Sequence, residues 1–141
     1  MVNASRLIVA SLFVLQAGLA GAATLSCIEQ GADTTKAQPI ISFIQDSSGN
    51  VQKNTLATSG KTEEGLFYFY SGQREVKDKN ITMLMYSTRQ KGQVDKVAAA
   101  DTLAIYLPHD EKLGTVAKEF HTDNEGNITD GNSYVCVDLN K

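Results

Sequence analysis

Across residues 24–141, apolar positions recur in short bursts at a period of two, separated by clusters of Gly, Asp, Asn and Ser. This is the signature of half-buried β-strands joined by turns. Thr24–Glu29 places Leu25, Cys27 and Glu29 on one face. Ile40–Ile44 is rich in β-branched residues and stops at the turn cluster Asp46-Ser47-Ser48-Gly49-Asn50. Val51–Thr58 reads as its return strand, and Ser59–Gly65 as a polar connection. Leu66–Tyr70 and Ile81–Tyr86 are the strongest strand signals and predict a hairpin with a long solvated tip over Arg74–Asn80. Leu103–Leu107 (closed by Pro108), Thr115–His121 and Tyr134–Leu139 complete the series; in the last, Tyr134, Cys136 and Asp138 share a face. The spacing of Val94, Val97 and Ala98 predicts a one- or two-turn helix near 94–101, with an irregular loop as the alternative. The expected architecture is all-β: a compact antiparallel sandwich or a small up-and-down barrel of about seven or eight short strands.

The first 23 residues follow a different pattern. One charge, Arg6, precedes the apolar run Leu7–Leu15, and the small residues Ala17–Ala23 follow. This is the layout of a secretory signal peptide, with cleavage expected after Ala22 or Ala23. The apolar run falls well short of the ~20 residues that span a bilayer, and no other stretch approaches that length. The division expected is therefore 1–23 as a signal peptide and 24–141 as one β-domain, secreted or periplasmic and not membrane-spanning. A domain of that size buries roughly two-thirds of its unfolded surface, enough for a core.

Export changes the reading of the two cysteines. In an oxidising compartment Cys27 and Cys136 have one intramolecular pairing open to them. That bridge closes a loop of more than 100 residues and requires the first and last strands to be neighbours or to face each other across a core. The competing reading is lipidation of Cys27. Ala23–Cys27 loosely resembles a lipoprotein cleavage motif, but Thr24 stands where that motif has an aliphatic residue, and Cys136 would be left alone.

Charge and chemistry narrow the function further. With 13 Lys+Arg against 16 Asp+Glu the chain is mildly acidic, net −3, which argues against nucleic acid as a partner. No nucleophile elbow, phosphate loop, His-Glu-x-x-His or Cys-x-x-Cys occurs, and no cofactor is implied. His109 falls in a turn after a strand. His121 and Asp123 lie two apart and form a weak metal-ligand candidate, without an obvious third ligand. The acidic turn Asp123–Asn127, followed by Asp130, offers Ca²⁺-type oxygens but not the EF-hand order. Glu63, Glu64 and Glu75 are the carboxylates available to a glycosidase pair. Asn80-Ile81-Thr82 and Asn127-Ile128-Thr129 match the glycosylation sequon, which matters only in a eukaryotic source.

The hairpin 66–86 is apolar on both faces. Its second face is either covered, for example by 94–101, or serves as a recognition patch. Tyr68, Tyr70 and Tyr86 are the candidate contact residues, with ring faces to bury and hydroxyls for polar contacts. The sequence thus points to an exported, disulfide-stapled binding module for a protein partner or a small apolar ligand. A small secreted hydrolase and a structural cell-envelope component are the alternatives.

Overall fold

The computed structural model describes residues 23–89, 99–110 and 112–139. Eight strands, β1 (Thr24–Glu29), β2 (Ile40–Gln45), β3 (Val51–Leu56), β4 (Thr62–Val76), β5 (Ile81–Ser87), β6 (Ala100–Pro108), β7 (Thr115–Thr122) and β8 (Ile128–Asp138), follow in chain order. Each pairs antiparallel with its neighbours in sequence, and β8 returns to β1, so the sheet closes into an up-and-down barrel. Of the two expected architectures the barrel is the one formed. The described residues contain no helix. The helix expected near 94–101 falls mostly on 94–98, outside the described residues, and Ala100 and Asp101 already belong to β6. The leader expected over 1–23 also lies outside them, apart from Ala23. Among the described residues no helix is long and apolar enough to cross a membrane.

The period-two pattern becomes an inside and an outside. Leu25 and Cys27 on β1, Ile41 and Phe43 on β2, Leu84 and Tyr86 on β5, Leu103 and Ile105 on β6, and Tyr134 and Cys136 on β8 are all buried. Burying each of the larger apolar side chains contributes roughly 1.5–3 kcal/mol. An eight-stranded barrel is just narrow enough for side chains to fill its interior, and rings complete the packing here, with Phe43 set edge-on to Tyr134 at 5.7 Å between centroids. On the outer face Val135 is 41 % and Val137 62 % exposed. Val135 continues through its register partners Val116, Tyr106 and Met83 into an apolar row across β8, β7, β6 and β5.

Strand β4 differs most from expectation. It runs 15 residues instead of five, absorbing the polar stretch before Leu66 and Arg74–Val76 after Tyr70. Barrel closure explains the length, because tilted strands are offset along their neighbours. Thr62–Tyr68 pairs with β3, and Phe69–Val76 pairs with β5. The hairpin tip shrinks to 77–80, where Asp78 and Asn80 adopt positive φ of 69° and 52°. Such angles suit Asx residues, whose short polar side chains bond locally.

The turns follow one chemistry. In Asp46–Asn50 the Asp46 carboxylate accepts the backbone N–H groups of Ser48 and Asn50 at 2.9 and 3.0 Å. In Asp123–Asn127 the Asp123 carboxylate accepts those of Glu125 and Asn127, both at 2.9 Å. Each turn has glycine in fourth place at φ 86° or 85°, a conformation that a side chain would strain. The calcium-like turn of the sequence is therefore a hairpin turn whose leading carboxylate is already occupied.

Closure also sets the geometry of the barrel's two ends. The C-terminal ends of β1, β3, β5 and β7 lie at one end, the mouth. The C-terminal ends of β2, β4 and β6 lie at the other, where the chain also enters at Thr24 and leaves at Leu139, whose N–H donates to Thr24 O at 2.9 Å. Cys27 and Cys136 are register partners on β1 and β8, and they are disulfide-bonded with Cα atoms 4.0 Å apart. The bridge pins the seam from inside the barrel, with the two residues 2 % and 6 % exposed. It spans 109 residues of chain, for which loop-closure entropy gives about 4–5 kcal/mol as an upper bound. Replacing both cysteines by Ala is expected to cost about 3–5 kcal/mol in urea unfolding, and the native bridge should resist dithiothreitol until the barrel unfolds. Rapid reduction without denaturant would show that the seam opens locally.

Candidate functional site

Two β-bulges lie opposite charged residues on the inward phase of their strands. The β3–β4 register shifts between Gln52 and Asn54, at Lys53, and the β7–β8 register shifts between Lys118 and Phe120, at Glu119. The extra residue lies on β4, at Gly65 and Leu66, and on β8, at Gly131 and Asn132, while regular alternation with Val51 and Ala117 already turns Lys53 and Glu119 inward. Each faces a glycine across the ladder. A Cβ on Gly131 would lie 2.8 Å from Glu119 O, and one on Gly65 would lie 3.2 Å from Lys53 O. No larger residue fits at Gly131 without moving the backbone.

The two charges meet inside the barrel. Lys53 Nζ lies 2.8 Å from Glu119 Oε1 and donates to Tyr134 Oη at 3.1 Å. Tyr134 Oη donates to Glu119 Oε1 at 2.6 Å, and Tyr68 Oη to Glu119 Oε2 at 2.5 Å. Both carboxylate oxygens are thus engaged, as a buried charge requires. Lys53 also sits over the Tyr134 ring, 5.4 Å from its centroid.

The titration of these groups follows from competing effects. Burial alone would raise Glu119, but the hydrogen bonds from Lys53, Tyr134 and Tyr68, with the lysine charge, hold it below the usual carboxylate range. Burial alone would lower Lys53, but Glu119 and Tyr134 hold it above its ordinary value. Tyr68 and Tyr134 are both raised, first by burial and then by the hydrogen bond to Glu119.

Above this network the mouth opens into a pocket of about 250 Å³ lined by Glu29, Gln38, Pro39, Ile41, Lys53, Thr55, Asn132 and Tyr134. Pro39, Ile41 and the Tyr134 ring supply apolar wall, and the rest supply a few polar groups. Its volume lies just below the usual range of small-molecule sites, and its lining is more polar than most.

The tyrosines singled out in the sequence lie mostly inside. Tyr68 and Tyr86 are fully buried, and Tyr70 packs half-buried against the core. Tyr70 and Tyr86 meet edge-on at 5.6 Å, while Tyr68 joins the Glu119 network. The Tyr86 hydroxyl has no hydrogen-bond partner among the described residues. Burial raises the pKa of both Tyr70 and Tyr86. Their outward neighbours are Phe67 and Phe69, stacked edge-on at 5.2 Å.

The histidines are at opposite ends. His121 Nδ1 lies 2.9 Å from Asp101 Oδ1, so His121 is paired with Asp101 rather than with Asp123, whose carboxylate serves its own turn. His109 Nε2 lies 3.0 Å from both Glu75 Oε2 and Thr82 Oγ1, and Thr82 Oγ1 donates to Glu75 Oε1 at 2.6 Å. A nucleophile relay needs the carboxylate and the hydroxyl on different ring nitrogens; here they share one, and Thr82 is 2 % exposed. Glu63 and Glu64 start β4 near the mouth and Glu75 ends it at the other end, roughly 35 Å away at ~3.3 Å per residue. They do not flank one cleft. Among the described residues no group of three His, Cys, Asp or Glu side chains could hold a metal ion.

Lys53, Glu119, Tyr134 and Glu29 were not singled out from the sequence. The available signal was a lysine and a glutamate on the inward phase of their strands, each matched by a glycine within another strand. No family model matches this chain, and no curated protein matches it.

The network makes two measurable claims. Glu119→Ala leaves the Lys53 ammonium buried without its partner and is expected to cost about 3 kcal/mol in urea unfolding. Adding Lys53→Met should restore part of that loss; full additivity would show that the two charges are not coupled. The depressed Glu119 stabilises the fold above its unfolded pKa, and this is lost as pH falls through its folded pKa. The raised Lys53, Tyr68 and Tyr134 stabilise it below their unfolded pKa values near 10, and this is lost as pH rises through the folded ones. Stability should therefore fall on both limbs, and Glu119→Ala should flatten both.

Proposed function

We propose that this protein is an exported binding module whose ligand site is the mouth of the barrel. The carrying observation is the pocket lined by Glu29, Lys53, Thr55, Asn132 and Tyr134. There apolar wall, unburied polar groups and space coincide. The interior below is filled by Phe43, Tyr68, Leu84, Tyr86 and Leu103, so the reading moves from an apolar ligand within the barrel to a polar group held at its end. Tyr134 replaces the hairpin tyrosines as the aromatic contact. Tyr68 contributes indirectly, by fixing Glu119 and through it Lys53.

Export is part of the same proposal. The leader pattern of residues 1–23 supports it, and the buried disulfide is consistent with an oxidising compartment, secreted or periplasmic. His109 and His121 lend a hydrolase no support: His109 meets Glu75 and the buried Thr82 hydroxyl through one ring nitrogen, that hydroxyl already donates to Glu75, and His121 is paired with Asp101.

Filling the pocket tests the site. Thr55→Trp should leave the disulfide and the far-UV spectrum unchanged while reducing binding to an envelope extract of the native host at least tenfold. Val137→Lys, on the outer wall, should leave binding intact. Loss in Val137→Lys with retention in Thr55→Trp would move the site to the outer apolar row.

A further inference from the structure

The mouth pocket has a sign. Lys53 is its one cationic lining residue among those described, and its charge is already met by Glu119 at 2.8 Å. Its ammonium also donates to Tyr134 and lies over that ring, so little of its field is left for a ligand. Glu29 is different. Its side chain lines the same pocket, is exposed, and has no hydrogen bond or ion pair among the described residues. Among the described residues, Lys53, Glu119 and Glu29 together leave the site with one uncompensated negative charge. Glu63, register partner of the lining residue Thr55, stands exposed on the adjacent strand and adds to it. An anion entering here would meet Glu29 and find the lysine already neutralised.

Resting on the reading of the mouth as the ligand site, we propose that the pocket takes a cation: an alkylammonium or guanidinium group at the end of an aliphatic stem. The charged head pairs with Glu29 and donates to the side-chain oxygens of Asn132 and Thr55, as charge-assisted hydrogen bonds favour. The stem lies along Pro39, Ile41 and the Tyr134 ring, the way long basic side chains cover apolar surface. Two sources present this chemistry: a Lys or Arg side chain of a partner protein, and a free aliphatic amine. Because Glu29 is solvent-exposed, the pairing is weak and salt-sensitive.

Amide-resolved NMR titration distinguishes the outcomes. The probes are N-acetyl-lysine methylamide, 1,5-diaminopentane, N-acetyl-norleucine methylamide and N-acetyl-glutamate methylamide, each added to wild type and to Glu29→Gln. The expected result is saturable shifts at Lys53, Thr55, Asn132 and Tyr134 with the lysine probe. They should weaken at least fivefold in Glu29→Gln and again at high salt. Saturation by the diamine alone supports the cation with a free amine as its source. Equal shifts with the norleucine or glutamate probe, unchanged in Glu29→Gln, overturn the cation inference while leaving the mouth as a binding site. No saturable shift at the lining residues with any probe overturns both.

Discussion

The closing ladder between β1 and β8 is the constraint on which the rest depends. A sheet of eight short strands left open would expose two edges of unpaired N–H and C=O groups. Closing it removes both edges, creates the interior, and forces the tilt that makes β4 long enough to pair with β3 in one half and β5 in the other. The Cys27–Cys136 bond lies across this seam at a register pair, where it fixes which residues of the first and last strands face each other. A slip of one residue would turn Leu25, Tyr134 and their neighbours outward.

A barrel this narrow has to be filled, and the mouth half is filled with polar groups. Burying Lys53 and Glu119 is tolerable because two tyrosine hydroxyls complete the carboxylate's hydrogen bonds and one also receives from the lysine. Gly65 and Gly131, within the bulges of β4 and β8, leave room for the backbones of Lys53 and Glu119, which a Cβ there would crowd. The two charged side chains face inward by the ordinary alternation of β3 and β7, beside buried Val51 and Ala117, and barrel closure is what sets them against each other.

Much of the fold was legible because period-two burial is a local property. The eight strand positions, the inward face of Leu25 and Cys27, and the turn at Asp46–Asn50 all follow from neighbouring residues. What was not legible is nonlocal. The extensions of β4 through Glu63 and Glu75, and of β8 back to Ile128, depend on having a partner strand alongside, which no window of polar residues reveals. The tyrosines were chosen from a hairpin apolar on both faces, and alternation alone does not say which of those faces a barrel encloses. Their placement depends on barrel closure, which turns Tyr68 and Tyr86 inward and leaves Phe67 and Phe69 outside. The Lys53–Glu119 pair joins residues 66 positions apart, and only the closed topology brings them together.

The chain enters at Thr24 and leaves at Leu139 on the end of the barrel opposite the mouth, joined there by a backbone hydrogen bond. Anything attached at either of these points therefore sits behind the pocket. A tag, a fused domain or a sensor chip coupled there would hold the barrel upright with its opening facing the surrounding solution, so immobilisation at either point should not obstruct the mouth.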